Sequence, residues 1–304
     1  MGARRPAPVD RPAGLPAATA RSRAGGPVVV GVDGSPAAVQ AVRAAAREAG
    51  MRRVGLELVM AAPTLGRRRP DPAGDALRRG FHEVAGLAVQ AAARAATAAG
   101  VPGLRTRVVD GDPVAVLTAA SRTAGLLCVG ASRDTLLRSA VAGAGGRTSA
   151  AVAGAASCPV LVVAPSTGAS VDRSGVVVGV AGTAADAAAL AEAFAAAADR
   201  STELVAVHAW SAPGHSAAAL EAGRRRGEQL LGDALAPFLG SRPSVPVRRV
   251  VLHGRAVATL PGLALAAELV VVGQGPDGLR GPAGPVVSAL LREAPCPVLV
   301  VPAC

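Results

Sequence analysis

With 304 residues the chain is long enough for two domains, and 51% hydrophobic against 17% charged residues supplies packed cores rather than a disordered chain. The formal charge of +11 rests on arginine alone and makes nucleic acid the first partner to weigh, but aromatics are 1% of the chain, and Phe81, Phe194, Phe238 and Trp210 are scattered within apolar patterns. Without a stacking platform or a reading element, specific nucleic-acid binding is set aside and the excess charge reads as a solvated arginine surface.

In chain order, residues 1–26 are Arg/Pro-rich without periodicity, carry Arg4, Arg5, Arg11, Arg21 and Arg23 against Asp10, and are expected to be a disordered tail. Val/Leu-rich strands are predicted at 28–32, 54–60, 104–109, 126–130 and 159–163, with helices at 36–49, 76–99, 113–123 and 148–155. Residues 165–174 have linker composition. Strands then return at 176–180, 203–208, 247–252, 269–273 and 297–301. This return is a repeat. VVVGVDGS at 28–35 recurs as VVVGVAGT at 176–183, LLCVGAS at 126–132 as LVVVGQG at 269–275, and SCPVLVV at 157–163 as PCPVLVV at 295–301. The offset falls from 148 to 143 to 138, so the second copy is shortened in two connections. The boundaries are therefore 27–164 for domain 1, 165–174 for the linker and 175–304 for domain 2.

Near-continuous apolar strands separated by helices imply a parallel sheet covered on both faces, so the fold class is α/β, two tandem doubly wound, Rossmann-like domains. Ligands in such sheets bind beyond the carboxyl ends of the strands, at the switch in strand order. No stretch reaches the roughly 20 uninterrupted apolar residues of a membrane span, and the N-terminus lacks the apolar core of a secretory signal. Cys128, Cys158, Cys296 and Cys304 show neither a CxxC pair nor metal-ligand spacing. A reducing cytoplasm is the expected location, with no membrane partner.

Two segments after strands carry candidate chemistry. The first is Gly31-Val32-Asp33-Gly34-Ser35-Pro36, where the Asp33 carboxylate can accept from ribose hydroxyls or merely close a turn, and Ser35-Pro36 suits an N-cap and first helical residue. The second runs from Val129-Gly130 through a Gly-rich loop to Gly146-Arg147-Thr148-Ser149. Its glycines and the amides of the following helix can cradle a phosphate, or the same residues can form a flexible loop and a helix cap. Among the histidines, His208 ends a strand, but the equivalent position of domain 1 is Met60, which argues against a shared catalytic role. GxSxG, HExxH and GxxxxGK[ST] patterns are absent.

The ordered set formed by VVVGVDGS, the Gly111-Asp112-Pro113 turn, LLCVG and A-x-C-P-V-L-V-V, occurring in two copies, resembles the universal stress protein (UspA-type) family in its tandem form. The resemblance covers about 27–163 and 175–302. It implies an adenine nucleotide alpha hydrolase-like fold, a role in stress survival, and pairing of the two copies through their last strands as an internal pseudo-dimer, with a homodimer of chains left open. It also implies an adenine-nucleotide site, ATP with magnesium, held in domain 1 by Gly31, Asp33, Val129, Gly130, Gly146, Arg147, Thr148 and Ser149. The family's Gly-x2-Gly-x9-Gly-Ser/Thr signature is incomplete here: Arg133 takes the second glycine's place, and Arg147 the hydroxyl's. Arg147 can pair with phosphate, block the pocket, or pair with Asp33 or Asp134. In domain 2, Ala181 replaces the acidic residue, Pro276 the second glycine, and Pro285 removes an amide, so no family-type nucleotide site is expected there. The expected function is a non-enzymatic stress-response or regulatory protein that binds adenine nucleotide in domain 1 only. The alternatives are a nucleotide-independent scaffold and, less favoured, a nucleotide-processing enzyme; weak ATP hydrolysis is left open.

Overall fold

The computed structural model describes residues 25–62, 72–98, 100–101, 103–131, 145–164, 173–211, 216–275 and 283–303. The tail before residue 25, residues 165–172 of the linker and Cys304 lie outside the described residues. In the first copy, strands β1 (Val28–Gly31), β2 (Leu56–Ala62), β3 (Leu104–Asp110), β4 (Leu126–Gly130) and β5 (Val160–Val163) alternate with helices α1 (Pro36–Arg52), α2 (Pro72–Ala98), α3 (Pro113–Ala120) and α4 (Gly145–Ala155). The second copy repeats the order with β6 (Val176–Gly179), α5 (Asp186–Asp199), β7 (Leu204–Trp210), α6 (Ala217–Leu239), β8 (Val247–His253), α7 (Ala256–Leu263), β9 (Leu269–Gly273), α8 (Pro285–Glu293) and β10 (Val298–Val301).

The ten strands form one sheet in the order β3-β2-β1-β4-β5-β10-β9-β6-β7-β8. Every neighbouring pair is parallel except β5 and β10, which run antiparallel with Val298 opposite Val162, Leu299 opposite Leu161 and Val300 opposite Val160. The two copies thus join edge to edge through their last strands, the internal pseudo-dimer that the family resemblance implies. Each half has a switch in strand order, between β1 and β4 and between β6 and β9, the place where ligands bind in sheets of this kind.

Alternation along the strands splits the apolar side chains between two cores. Val28, Val30 and Leu58 face α1 and α2, in a cluster that continues through Val178, Phe194 and Leu231 under α5 and α6. Val29, Val59 and Leu127 face α3 and α4, in a cluster that continues through Val270 and Leu290 under α7 and α8. Helix starts follow the sequence: Ser35 Oγ accepts from the Ala38 amide at 3.1 Å with Pro36 at the first helical position, and Asp112 Oδ2 caps α3 through Ala115 N at 3.0 Å. Helix α1 runs past the expected stop at 49 to Arg52, because Arg53 rather than Gly50 adopts the left-handed cap at φ 55°, with Val54 N–H donating to Ala49 O. Strand β2 lies two residues later than predicted, which preserves its alternation.

Charges tie the seam together. Glu48 on α1 is 6% exposed and accepts from two guanidiniums, Arg52 of its own helix at 3.4 Å and Arg200 at the end of α5 in the other copy. Arg52 also reaches Glu192 across the seam at 3.2 Å, and Arg200 reaches Glu268 at 3.3 Å. Burial opposes the Arg52 charge, but Glu192 and Glu48 outweigh it and hold the guanidinium above its ordinary range.

Candidate functional site

The copy-one crevice is built by the ends of β1 and β4 and by the starts of three helices. Gly31, Asp33, Val129, Gly130, Thr148 and Ser149 all line it, with Leu117 closing the floor. It encloses about 100 Å³, below the roughly 300–1,000 Å³ typical of small-molecule pockets, so the greater part of a nucleotide would lie in its open mouth. Gly146 lies in the first turn of α4, as does the backbone of Arg147. The Arg147 side chain, and Arg133 and Asp134, lie outside the described residues. Because α4 begins at Gly145, its first turn spans 145–148, and Ser149, the fifth helical residue, stands one position beyond it. Ser149 is buried within the wall.

Asp33 is exposed, and its Oδ1 accepts from Ser35 N at 2.9 Å, closing an Asx turn around Gly34 at φ 80°. Its second carboxylate oxygen has no partner among the described residues and remains an acceptor at the rim. Gly130 has a packing role of its own: a Cβ there would stand 2.6 Å from Ala37 C and 2.7 Å from Ala37 O, so β4 and the start of α1 meet backbone to backbone.

Copy two closes the same turn from within. Asp186, at the start of α5, accepts from Ala181 N at 3.1 Å, from Gly182 N at 2.6 Å and from Thr183 N at 2.8 Å. Its carboxylate is buried, and the turn around Gly182 at φ 84° matches that around Gly34. Three amides that could face an anionic ligand already hold the chain's own anion. The equivalent residue of copy one is Ala38, which leaves its turn without such a plug. Sequence reasoning passed over Asp186, although the Thr183-x-x-Asp186 spacing is that of a capping box. Pro285 opens α8 and removes one further amide.

His208 is equivalent to Met60, as the shared register of β1 with β2 and of β6 with β7 shows, and its Nδ1 bonds Val180 O at 2.9 Å. Cys128, Cys158 and Cys296 are buried thiols outside any disulfide; burial pushes the Cys128 thiol well up and raises Cys296 to about 11. Among the described residues no three His, Cys, Asp or Glu side chains gather as a metal site, and no helix is long and apolar enough to cross a membrane.

Two doubly wound units, joined antiparallel through their last strands, define a tandem α/β protein with a crevice at the strand switch of copy one. The chain belongs to the universal stress protein family, whose pattern matches residues 26–164 and 174–302, two domains in tandem. It is 32% identical over 297 residues to universal stress protein Rv2623 of Mycobacterium tuberculosis, covering 90% of this chain and 95% of that one. It is likewise 32% identical over 291 residues to universal stress protein Rv2005c of the same organism, covering 90% and 96%. A universal stress protein structure from Archaeoglobus fulgidus superposes with a TM-score of 0.68 at 16% identity over 91% of this chain and 96% of that one, a likeness of fold.

Proposed function

We propose that this tandem universal stress protein is a non-enzymatic regulatory module that takes one adenine nucleotide in the copy-one crevice and none in copy two. The asymmetry of the two turns carries the reading: the amides after β6 are filled by Asp186, whereas the turn after β1 presents the exposed carboxylate of Asp33 instead. Asp33 would accept from the ribose hydroxyls, and the start of α4, from Gly146 and Arg147 to Thr148 and Ser149, would form the cradle for phosphate. Val129 and Gly130 form the wall between them. When bound, ATP and its magnesium would supply the charge that the helix start balances. Buried thiols outside any disulfide suit a reducing compartment such as the cytoplasm.

Isothermal titration of the full chain with ATP and with AMP, with and without magnesium, tests this. One site per chain, lost in Asp33→Ala and kept in Asp186→Asn, is the expected result. Silence from the wild type with binding gained in Arg147→Ser would mean a pocket closed by arginine. Silence from every variant would leave the nucleotide-independent scaffold.

A further inference from the structure

A second cleft, of about 390 Å³, lies in copy two between the carboxyl end of β7 and helix α6. It is on the other face of the sheet from the crevice described above. His208 and Trp210 share the alternation of Leu204 and Ala206, which pack toward α5 and α6, whereas the copy-one crevice draws on Val59 and Leu117 from the α3/α4 side. Its volume is that of a small-molecule pocket.

Two helical glycines shape it. A Cβ at Gly223 would stand 2.0 Å from Trp210 Cζ3, and one at Gly227 would stand 2.7 Å from Val251 Cγ1 and 3.1 Å from His208 Cδ2. Any larger residue would displace the indole or the imidazole, so α6 accepts two poor helix formers, each about 1 kcal/mol worse than alanine, where these rings lie. Trp210 is also held by His253, with ring centroids 4.9 Å apart, so the indole is fixed from two sides.

The polar groups are complementary to one kind of ligand. A carbonyl only accepts, so the His208 Nδ1 that bonds Val180 O is a donor, and Nε2 is the ring nitrogen with a lone pair to offer. Arg226 supplies a positive charge. In the run Arg224-Arg225-Arg226, the first two pair with Glu221, and Arg224 with Glu228 as well, whereas Arg226 has no ion pair or hydrogen bond among the described residues. Arg226 also borders the groove between α5 and α6 that contains Asp233, and forms no ion pair with it. Ser211 adds a hydroxyl at the rim.

We propose that this cleft binds a small aromatic carboxylate bearing a ring hydroxyl or N–H. Its carboxylate meets Arg226, its ring packs on Trp210, and its ring donor meets His208 Nε2. Copy one has Met60 and Ala62 at the two strand positions and cannot form the site. The site is independent of the adenine-nucleotide reading.

Trp210 is the sole tryptophan in a chain without tyrosine, so its fluorescence reports this cleft alone. The full chain is titrated with 4-hydroxybenzoate, and with benzoate and phenol as partial probes, by tryptophan quenching and by calorimetry. Saturable quenching at one site per chain is expected, with 4-hydroxybenzoate ahead of both partial probes. Arg226→Gln, an exposed change that leaves the fold intact, should weaken binding about tenfold or more. His208→Met, the residue copy one carries, should abolish the preference for 4-hydroxybenzoate over benzoate. The proposal is overturned by absence of quenching at millimolar probe, by an unchanged affinity in Arg226→Gln, or by loss of the response in Asp33→Ala, which would place the probe in the other crevice.

Discussion

Replacing Glu48 by glutamine removes the negative charge at the centre of the seam while keeping the side chain's length. Its carboxylate is 9% exposed and serves Arg52 and Arg200, whose side chains are 19% and 11% exposed. Removing one partner of a buried ion pair costs about 3–5 kcal/mol, because the remaining charge stays desolvated. Each guanidinium keeps a second carboxylate, Glu192 at 28% and Glu268 at 47% exposure, which brings the expected loss to about 2–3 kcal/mol. With a urea m-value of about 3 kcal/mol/M, the unfolding midpoint should fall by roughly 0.7–1 M, with the slope unchanged. Far-UV circular dichroism in urea at neutral pH measures this. The joint variant Glu48→Met with Arg200→Met should recover at most about half of the loss, the part owed to the desolvated Arg200, because Arg52 still lacks Glu48. A loss below about 0.5 kcal/mol in Glu48→Gln would refute the reasoning, because it would show these charges to be as weakly coupled as surface pairs.

Gly130→Ala drives a Cβ into the backbone of Ala37 and Ala38 and should cost about 2–3 kcal/mol by thermal denaturation, while Gly273→Ala, whose nearest neighbour is the Ala185 Cβ at 3.3 Å, should cost less than about 1 kcal/mol. Asp186→Ala strips three amides of their acceptor and should destabilise the chain by about 2 kcal/mol in chemical denaturation, with Asp186→Asn intermediate; no change would mean that water serves those amides equally well. The Cys296 thiol is raised to about 11 by burial, so the folded state holds a proton that the unfolded state releases near pH 9. Its contribution is therefore complete below pH 9 and is lost as pH rises to about 11, at about 1.4 kcal/mol per pH unit. Cys128, pushed up further by burial, adds the same slope, so Cys296→Ala should make the profile about half as steep in that window, and a wild-type profile already flat there would contradict the burial effect.

The repeat was legible because strands fully buried on both faces are written as unbroken Val/Leu runs, and both copies keep theirs at fixed order. The crevice was legible for the same reason: Gly31, Asp33, Val129 and Gly130 stand at strand ends, where topology brings them together. What escaped the sequence is set by contacts across long separations. Glu48 reads as one helix residue among many, and its partner Arg200 lies 152 residues away. The tight meeting of Gly130 with α1 depends on helix placement, which no local pattern records. Asp186 is open to local reading through its spacing to Thr183, whereas Ala181 by itself records only the loss of an acid and not the carboxylate five residues on that holds the turn.

The antiparallel meeting of β5 and β10 inside one chain has a consequence for how the two halves can change. Were the halves separate polypeptides, their association would weaken on dilution, and any substitution would enter both crevices of a symmetric dimer at once. A covalent connection instead holds the partner at a high, fixed effective concentration. It also separates the two genetic positions, so that one half can carry Asp33 and the other Asp186 in every molecule. Each molecule is thereby an obligate heterodimer of a turn with an exposed acid and a turn closed by a buried one. The stoichiometry of the two forms is one to one by construction and cannot be altered by expression level or exchange.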